Sequence, residues 1–294
     1  MSEPGRPVLF VNPKSGGGRA VRGRVAELAR ERGIEAVELG PGQELAALAE
    51  EAVRKGADAL GMAGGDGSLG IVAAAAQAHG LPFVCVPTGT RNHFARDLGV
   101  DPDDPAGALE AFGDGVERRI DVGSVNDRLF LNCVSLGIYA EAVHKAAYRD
   151  AKLRTLLSTA RAVLGPGAEV PELRLLDDVG GEHRRPAIVL VSNNPYALGR
   201  PGSHGGRPRL DGGRLGVIVI GPPAGAAPPS GRAWSATSLE VSAPASVPAG
   251  LDGEAVELTP PLRFSVRPRA LLVRTPRRGG VRGRRRPGAP ESPR

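Results

Sequence analysis

Aromatic residues and cysteines are scarce in this 294-residue chain: aromatics make up 3%, with one Trp, and only Cys85 and Cys133 carry thiols. Both cysteines lie in apolar, strand-like runs. That excludes a disulfide framework and a zinc ligand set, and it reads as small buried residues in a reducing compartment. Long hydrophobic runs are missing as well. The longest, such as "PAIVLVS", are strand-sized, well below the ~18 residues that a membrane-crossing helix needs. "MSEPGRP" at the start lacks the basic-then-apolar order of a secretory signal, so a cytoplasmic protein is expected. The hydrophobic fraction of 41% is enough for one large domain or two smaller ones.

Charge is present but unevenly placed. The formal net charge is +6, yet residues 267–294 alone hold ten Arg and one Glu. The rest of the chain is therefore slightly acidic. An Arg/Gly/Pro run of this kind cannot build a core, so 277–294 is expected to be a disordered basic tail. It is either a solvated extension or a segment attracted to anionic lipid. With no aromatic side chains to stack on bases, nucleic acid is not an expected partner.

Residues 1–121 alternate short apolar runs with helical patterns. "VLFVN", "IEAVEL", "ADALGMA" and "PFVCVP" read as strands. "GRAVRGRVAELARERG", "QELAALAEEAVRKG", "SLGIVAAAAQAHG" and "RNHFARDLG" read as the helices that follow them. In the first helix Val21, Val25, Leu28 and Ala29 share one face. Four such units with nearly continuous apolar strands predict an α/β domain with a doubly wound parallel sheet. Ligands of such sheets bind at the C-terminal ends of the strands.

Residues 122–276 change to strands and turns. "DVGSVNDRLFLNCVSLG" reads as a hairpin turning near Asn126-Asp127. "ELRLLD", "PAIVLVS", "RLGVIVI", "SLEVSA", "AVEL" and "LLVRT" follow, predicting a mainly antiparallel β-sandwich, with the segment near 268–276 able to return to the first domain. One helical stretch, Ala140 to Leu164, carries a Leu-rich stripe beside Arg149, Lys152, Arg154 and Arg161. It is either a surface helix packed on its own domain or a helix that lies on a membrane.

Three glycine-bearing loops follow the first, third and fourth strands. "NPKSGGGRA" leads straight into a helix, where converging N–H groups and the helix terminus favour an anion. It lacks the Gly-Lys-Ser/Thr ending of a Walker loop, and a tight strand–helix turn explains it equally well. In "GGDGS", Gly64, Gly65 and Gly67 surround Asp66, ahead of a helix capped by Ser68. Asp66 either faces Mg²⁺-bound phosphates or caps the turn. "PTGTRNHFARDLG" offers Gly89, Thr90, Asn92 and the ambiguous His93.

Taken in order and spacing, "VNPKSGGG", "GGDGS" and "PTGTRNHFARDLG" resemble the diacylglycerol kinase catalytic family, which includes bacterial lipid kinases, sphingosine kinases and ceramide kinases. The resemblance continues in "DVGSVNDRLFLNCVSLGIYA" and in "LDGE" (251–254), so it covers nearly the whole chain except the tail. It implies an α/β nucleotide-binding domain and a β-sandwich with the active site between them, ATP and Mg²⁺ as cofactors, and a lipid substrate met at a peripheral membrane contact. Position by position, it implies that Gly64, Gly65, Asp66, Gly67, Ser68, Leu69, Gly70, Gly89, Thr90 and Asn92 hold the ATP phosphates. The Asn12, Pro13, Ser15, Gly16 turn would help. Glu254, or Asp252 beside it, would be the general base. Asp66 and Asp121 would serve the catalytic magnesium, in part through water.

Departures from the family pattern are also visible. Gly70-Ile71 stands where many members have Asn-Glu, and His93 stands where the third motif usually has Asp. "LDGGRLG" keeps Asp211 but has Gly212 at the second Asp of a structural metal site found in bacterial members. Two other functions stay open: an NAD or other soluble-substrate kinase, which would share a "GGDGT"-like loop, and a catalytically weak nucleotide-binding regulator. The sequence names neither the acceptor nor the oligomeric state, and a dimer is compatible with it. Acceptor specificity is expected around "SNNPYALGRPGSHGG" (192–206).

Overall fold

The computed structural model describes residues 5–137, 172–197, 206–221 and 231–277. The helical stretch at 140–164 and the basic tail beyond Arg277 lie outside the described residues. Four parallel strands open the chain: β1 (Pro7–Val11), β2 (Glu35–Glu38), β3 (Ala59–Gly64) and β4 (Phe83–Pro87), ordered β2-β1-β3-β4. Helices α1 (Arg19–Arg22), α2 (Val25–Glu31), α3 (Leu45–Arg54), α4 (Asp66–Ala78), α5 (His93–Leu98) and α6 (Pro105–Ala108) lie among and after them. Every residue of β3 and β4 is buried, as both-face coverage of a parallel sheet requires. Phe10, Leu60, Met62, Leu69, Phe83 and Phe94 fill this core. Each such side chain contributes about 1.5–3 kcal/mol on burial.

The first helix departs from its expected form. Gly23 and a left-handed Arg24 (φ 50°) divide it into α1 and α2. The break shifts the helical phase, so Val21 is 57% exposed while Val25 and Ala29 remain buried. Helix α4 begins two residues earlier than expected, with Gly65 at its N-cap. Ser68 lies inside its first turn and donates its hydroxyl to the Gly65 carbonyl (3.0 Å).

Beyond α6 the described residues are almost entirely β. The strands are β5 (Val116–Val125), β6 (Arg128–Phe130), β7 (Cys133–Gly137), β8 (Arg174–Asp177), β9 (Glu182–Arg184) and β10 (Ile188–Asn193). They continue as β11 (Leu215–Ile220), β12 (Gly231–Ala236), β13 (Ser238–Ser242), β14 (Val247–Leu251), β15 (Glu254–Leu258) and β16 (Leu262–Thr275). A six-stranded antiparallel sheet has the order β12-β11-β10-β7-β14-β15. It packs through Val134, Val189, Val191 and Val217 against Phe130, Leu239, Val241 and Phe264 of the other sheet.

That other sheet is continuous with the parallel one. β16 pairs in parallel with β4 (Val273↔Phe83) and antiparallel with β13 (Phe264↔Leu239), while β5 runs antiparallel along most of β16. The β5–β16 register shifts between Arg267 and Leu271, where Arg269 takes φ 49°. Among the described residues, no helix is long and apolar enough to cross a membrane.

Candidate active site

The three loops after β1, β3 and β4 meet backbone to backbone. A Cβ on Gly89 would stand 2.7 Å from the Gly65 Cα and 3.0 Å from Asn92 Oδ1, and one on Gly16 would collide with the Thr88 carbonyl oxygen. Only glycine permits this approach, which packs peptide groups rather than side chains around a small concavity. The first loop is shaped by Asn12, whose Oδ1 accepts from the Lys14 N–H (3.0 Å) and whose N–H donates to the Ala63 carbonyl (2.9 Å). The first turn of α4, starting at Asp66, brings N–H groups that have no partner within the helix to the same place.

Asn92 also has a left-handed backbone (φ 51°), and its Nδ2 donates to the Gly89 carbonyl (3.0 Å). Its Oδ1 and the Thr88 hydroxyl are buried without a protein partner. Thr90 is exposed beside them, and Pro13 and Ser15 are half-buried. Leu69 is fully buried in the α/β core and its N–H donates to the Gly65 carbonyl (3.1 Å), so it packs the loop and has no donor left for a phosphate.

Asp66 joins the second loop to the third. Its carboxylate accepts from the backbone N–H groups of His93 (3.3 Å) and Phe94 (3.2 Å), capping α5 from outside that helix. The phosphate-facing and turn-capping readings of Asp66 are therefore not exclusive, because two N–H bonds leave about half of a carboxylate's four acceptor sites free. His93 is exposed as a residue, yet desolvation lowers its pKa below the ordinary histidine value. Asp66 opposes that shift, and Arg91 and Arg96 reinforce it.

"LDGE" forms the hairpin turn between β14 and β15, pairing Leu251 with Glu254. Asp252 (φ 48°) and Gly253 (φ 90°) both sit at positive φ, as a type I′ turn requires. The turn points its two acids differently. Asp252 is buried and accepts from Leu131 N (2.7 Å), Asn132 N (2.8 Å) and Cys133 N (3.0 Å). Burial lifts its pKa to about 7, the three N–H bonds hold it down, and the Asp66 carboxylate across the cleft adds to the rise. Glu254 is exposed and has no hydrogen-bond or ion-pair partner among the described residues. Its side chain lies over the first turn of α4, so that a Cβ on Gly67 would stand 2.5 Å from its Oε1 and 2.7 Å from its Cδ. The hairpin thus delivers an open carboxylate to the glycine loop.

Asp121 is fully buried, and its oxygens are occupied by Arg269 N (2.8 Å), Gly213 N (2.6 Å) and Asn194 Nδ2 (3.1 Å). It secures the bulge of β16 and the 210–213 loop. Its link to the cleft runs through Asn193, whose Nδ2 donates to the carbonyls of Asp121 (2.8 Å) and Leu131 (3.3 Å). In the 210–213 loop, Arg209 pairs with the Asp211 carboxylate (3.2 Å) and Gly212 N donates to Asn194 Oδ1 (2.8 Å). Among the described residues no three His, Cys, Asp or Glu side chains cluster to hold a metal. The donor set does fit Mg²⁺ in its usual form, in which one or two carboxylates share the ion with phosphate oxygens and water. Of Asp66, Asp121 and Asp252, Asp66 is the one with acceptor capacity to spare.

Neither thiol is poised to react. Burial raises Cys85 far above its usual value and pushes Cys133 up to about 12.

Sequence reading passed over a buried polar cluster beside the cleft. Arg207, with its side chain fully buried, donates through Nε to Asp97 Oδ2 (2.7 Å). Its Nη1 donates to the carbonyls of Leu131 (2.5 Å) and Asn193 (2.8 Å), and its Nη2 to Asn132 Oδ1 (2.7 Å). Ser192, Asn193 and Asn194, within the stretch expected to set acceptor specificity, are buried at the end of β10. Residues 198–205 of that stretch lie outside the described residues. The available signal was the density of Asn and Arg beside apolar strands, in "FLN", "VSNN" and "GRPRLDGG".

Known proteins resemble the chain in sequence and in fold. The model of the diacylglycerol kinase catalytic domain matches residues 6–125. A Pseudomonas aeruginosa protein named "Probable lipid kinase YegS-like" is 31% identical over 297 residues, covering 92% of this chain and 94% of its own. A diacylglycerol kinase from Mycobacterium tuberculosis is 33% identical over 129 residues, and the match spans only 42% of each protein. A solved Bacillus anthracis structure assigned to the diacylglycerol kinases superposes with a TM-score of 0.70 at 19% identity, covering 93% of this chain and 98% of the other. That last likeness is one of fold. The chain belongs to the diacylglycerol kinase and related lipid kinase family.

Proposed function

We propose that this protein is an ATP-dependent kinase that phosphorylates a lipid hydroxyl in the cleft between the glycine loops and the β14–β15 turn. One observation carries the reading: Glu254 has an unpartnered carboxylate lying against Gly67, in the first turn of α4. A helix start beside a glycine-rich concavity favours phosphate groups. The adjacent free carboxylate is then within reach of a hydroxyl brought to those phosphates.

In this scheme, the N–H groups at the start of α4, from Gly65 to Ser68, hold the nucleotide phosphates with those of Gly16, Gly89 and Thr90, while the N–H groups of Leu69 and Gly70 belong to the helix itself. Asn92 Oδ1 and the Thr88 hydroxyl, buried and unpartnered, suit a bound water or nucleotide group beneath them. Asp66 would hold Mg²⁺, which when bound supplies charge neutralisation on the phosphates. Glu254 removes the proton of the acceptor hydroxyl as its oxygen bonds to the γ-phosphorus and ADP departs. Asp252, whose carboxylate is committed to three N–H donors, is assigned to holding the turn. Asp121, similarly occupied, is assigned to the junction behind it and reaches the metal only through water. His93 would meet phosphate or water as a neutral imidazole. The work is placed at a membrane surface on the cytoplasmic side, where a lipid acceptor is found.

The test is transfer of labelled γ-phosphate from ATP to a panel of diacylglycerol, sphingosine, ceramide and NAD. Glu254→Gln should lower kcat by about 10²–10⁴ while Mg·ATP binding, read by calorimetry, is retained. Unchanged transfer by the variant would remove Glu254 from the base role, and transfer to NAD alone would replace the lipid acceptor.

A further inference from the structure

The contacts around the cleft close into a ring. Glu254 rests on Gly67, and Gly67 follows Asp66, whose carboxylate caps α5 through His93 and Phe94. At the other end of α5, Asp97 pairs with Arg207 through two bonds, from Nε (2.7 Å) and from the backbone N–H (3.1 Å). Arg207 then reaches the turn between β6 and β7, grasping it by the Leu131 carbonyl and the Asn132 side chain. The opposite side of that turn, the N–H groups of residues 131–133, is held by Asp252. Two residues further on stands Glu254, where the ring began.

Apart from the Glu254–Gly67 packing and the chain itself, every link is a hydrogen bond or a buried ion pair, and Arg207 is the one that crosses from α5 to the sandwich. A buried arginine is costly unless all its donors are met. Here the guanidinium faces acceptors on three separate segments, α5, the β6–β7 turn and the end of β10. A planar fork can serve three directions at once, whereas a lysine ammonium is a point charge.

We propose that Arg207 is a positioning residue, a strut that sets the distance from the Glu254 carboxylate to the glycine loop by tying α5 to the turn that Asp252 clamps. The inference rests on the reading of Glu254 as the base. It assigns Arg207 no contact with either substrate. Its loss should therefore slow the chemical step and spare nucleotide affinity, since the loops around the phosphates are packed by their own backbones.

Arg207→Lys keeps a positive charge beside Asp97 and removes the fork. With dioctanoylglycerol in detergent micelles as the acceptor probe, kcat per folded protein should fall by about tenfold to a hundredfold, the effect of a displaced reacting group. KM for ATP should stay within about twofold, because binding and transition-state terms separate in this way. In hydrogen exchange, which needs no substrate, the amides of residues 131–133 should lose protection in the variant while peptides from β1, β3 and β4 keep theirs. Asn132→Ala leaves the Asp97 pair intact and should shift both readouts in the same direction by less, and it carries the test if Arg207→Lys fails to fold. Wild-type kcat in a folded variant, a kcat loss matched by lost folded fraction, or unchanged exchange at 131–133 would overturn the strut. If the native protein does not phosphorylate the probe, the exchange result decides. Glu254→Gln is run in parallel: full activity there refutes the base and leaves the exchange result to judge the strut alone.

Discussion

The two walls of the cleft are built on different principles. On the α/β side, position is held by backbone: a side chain on Gly16 would collide with the Thr88 carbonyl and one on Gly89 with the Gly65 Cα, and the helix start supplies the polar groups. On the sandwich side, position is held by buried side chains: Asp252, Asp121, Asn193, Asn194 and Arg207 each spend their hydrogen-bonding capacity on neighbouring loops. A wall made of peptide groups tolerates no added atom, whereas a wall made of side chains tolerates no unmet partner. The open carboxylate, Glu254, stands between them.

Breaking the backbone wall should have the larger effect. Gly89→Ala sets a methyl against the Gly65 Cα, and neither backbone can yield easily. A stability loss of about 1–3 kcal/mol is expected from such overpacking, with Mg·ATP affinity weakened by tenfold or more at about 1.4 kcal/mol per decade. Thermal unfolding and calorimetry report the two separately, and a variant with native nucleotide affinity would show that the loops do not meet around the ligand.

On the other wall, Asp252→Asn replaces an acceptor by a donor facing three N–H groups, at a cost of about 1–3 kcal/mol for unmet buried polar atoms. It also has a pH signature. The folded-state pKa of Asp252 lies near 7, above the unfolded value of about 3.9, so between those values the folded protein holds more protons. The stability tied to this group is complete below pH about 4 and is lost as pH rises through about 7. In urea titrations the gap between native protein and variant should be wider at pH 5 than at pH 8. A wider gap at pH 8 would mean that the three N–H bonds outweigh burial.

The smallest effect is expected where the walls meet. His93→Asp leaves the backbone N–H bonded to Asp66 in place and restores an acid where the family motif usually has one. Mg²⁺-dependent transfer should remain at or above the native rate, and its loss would show that the imidazole is needed.

The same contrast explains what the sequence revealed. Backbone construction leaves glycines in the sequence, so the three loops and the parallel strands between them were legible. Side-chain construction leaves ordinary Asn, Asp and Arg residues, whose partners lie far apart in the chain: Arg207 meets Asp97 across 110 positions. No local pattern marks such a pair. The missed strands are equally instructive. β12 ("GRAWSA") and β14 ("VPAGL") carry weak strand propensity and owe their pairing to β11, β7 and β15, a tertiary override of local preference. Val21 was misplaced because a left-handed Arg24 is not announced by its side chain.

One consequence of β16 concerns the order in which the molecule can assemble. Residues 273 and 274 supply the parallel neighbour that covers the open side of β4. During synthesis, therefore, the first four strands and their helices can be complete while one flank of their sheet still waits for a partner about 190 positions later. For that interval the nascent sheet presents an unpaired apolar edge, the kind of surface on which chains adhere to one another. A fragment ending before Leu262 should thus aggregate even though it contains all three glycine loops, and a separately added peptide spanning 262–275 should rescue its solubility.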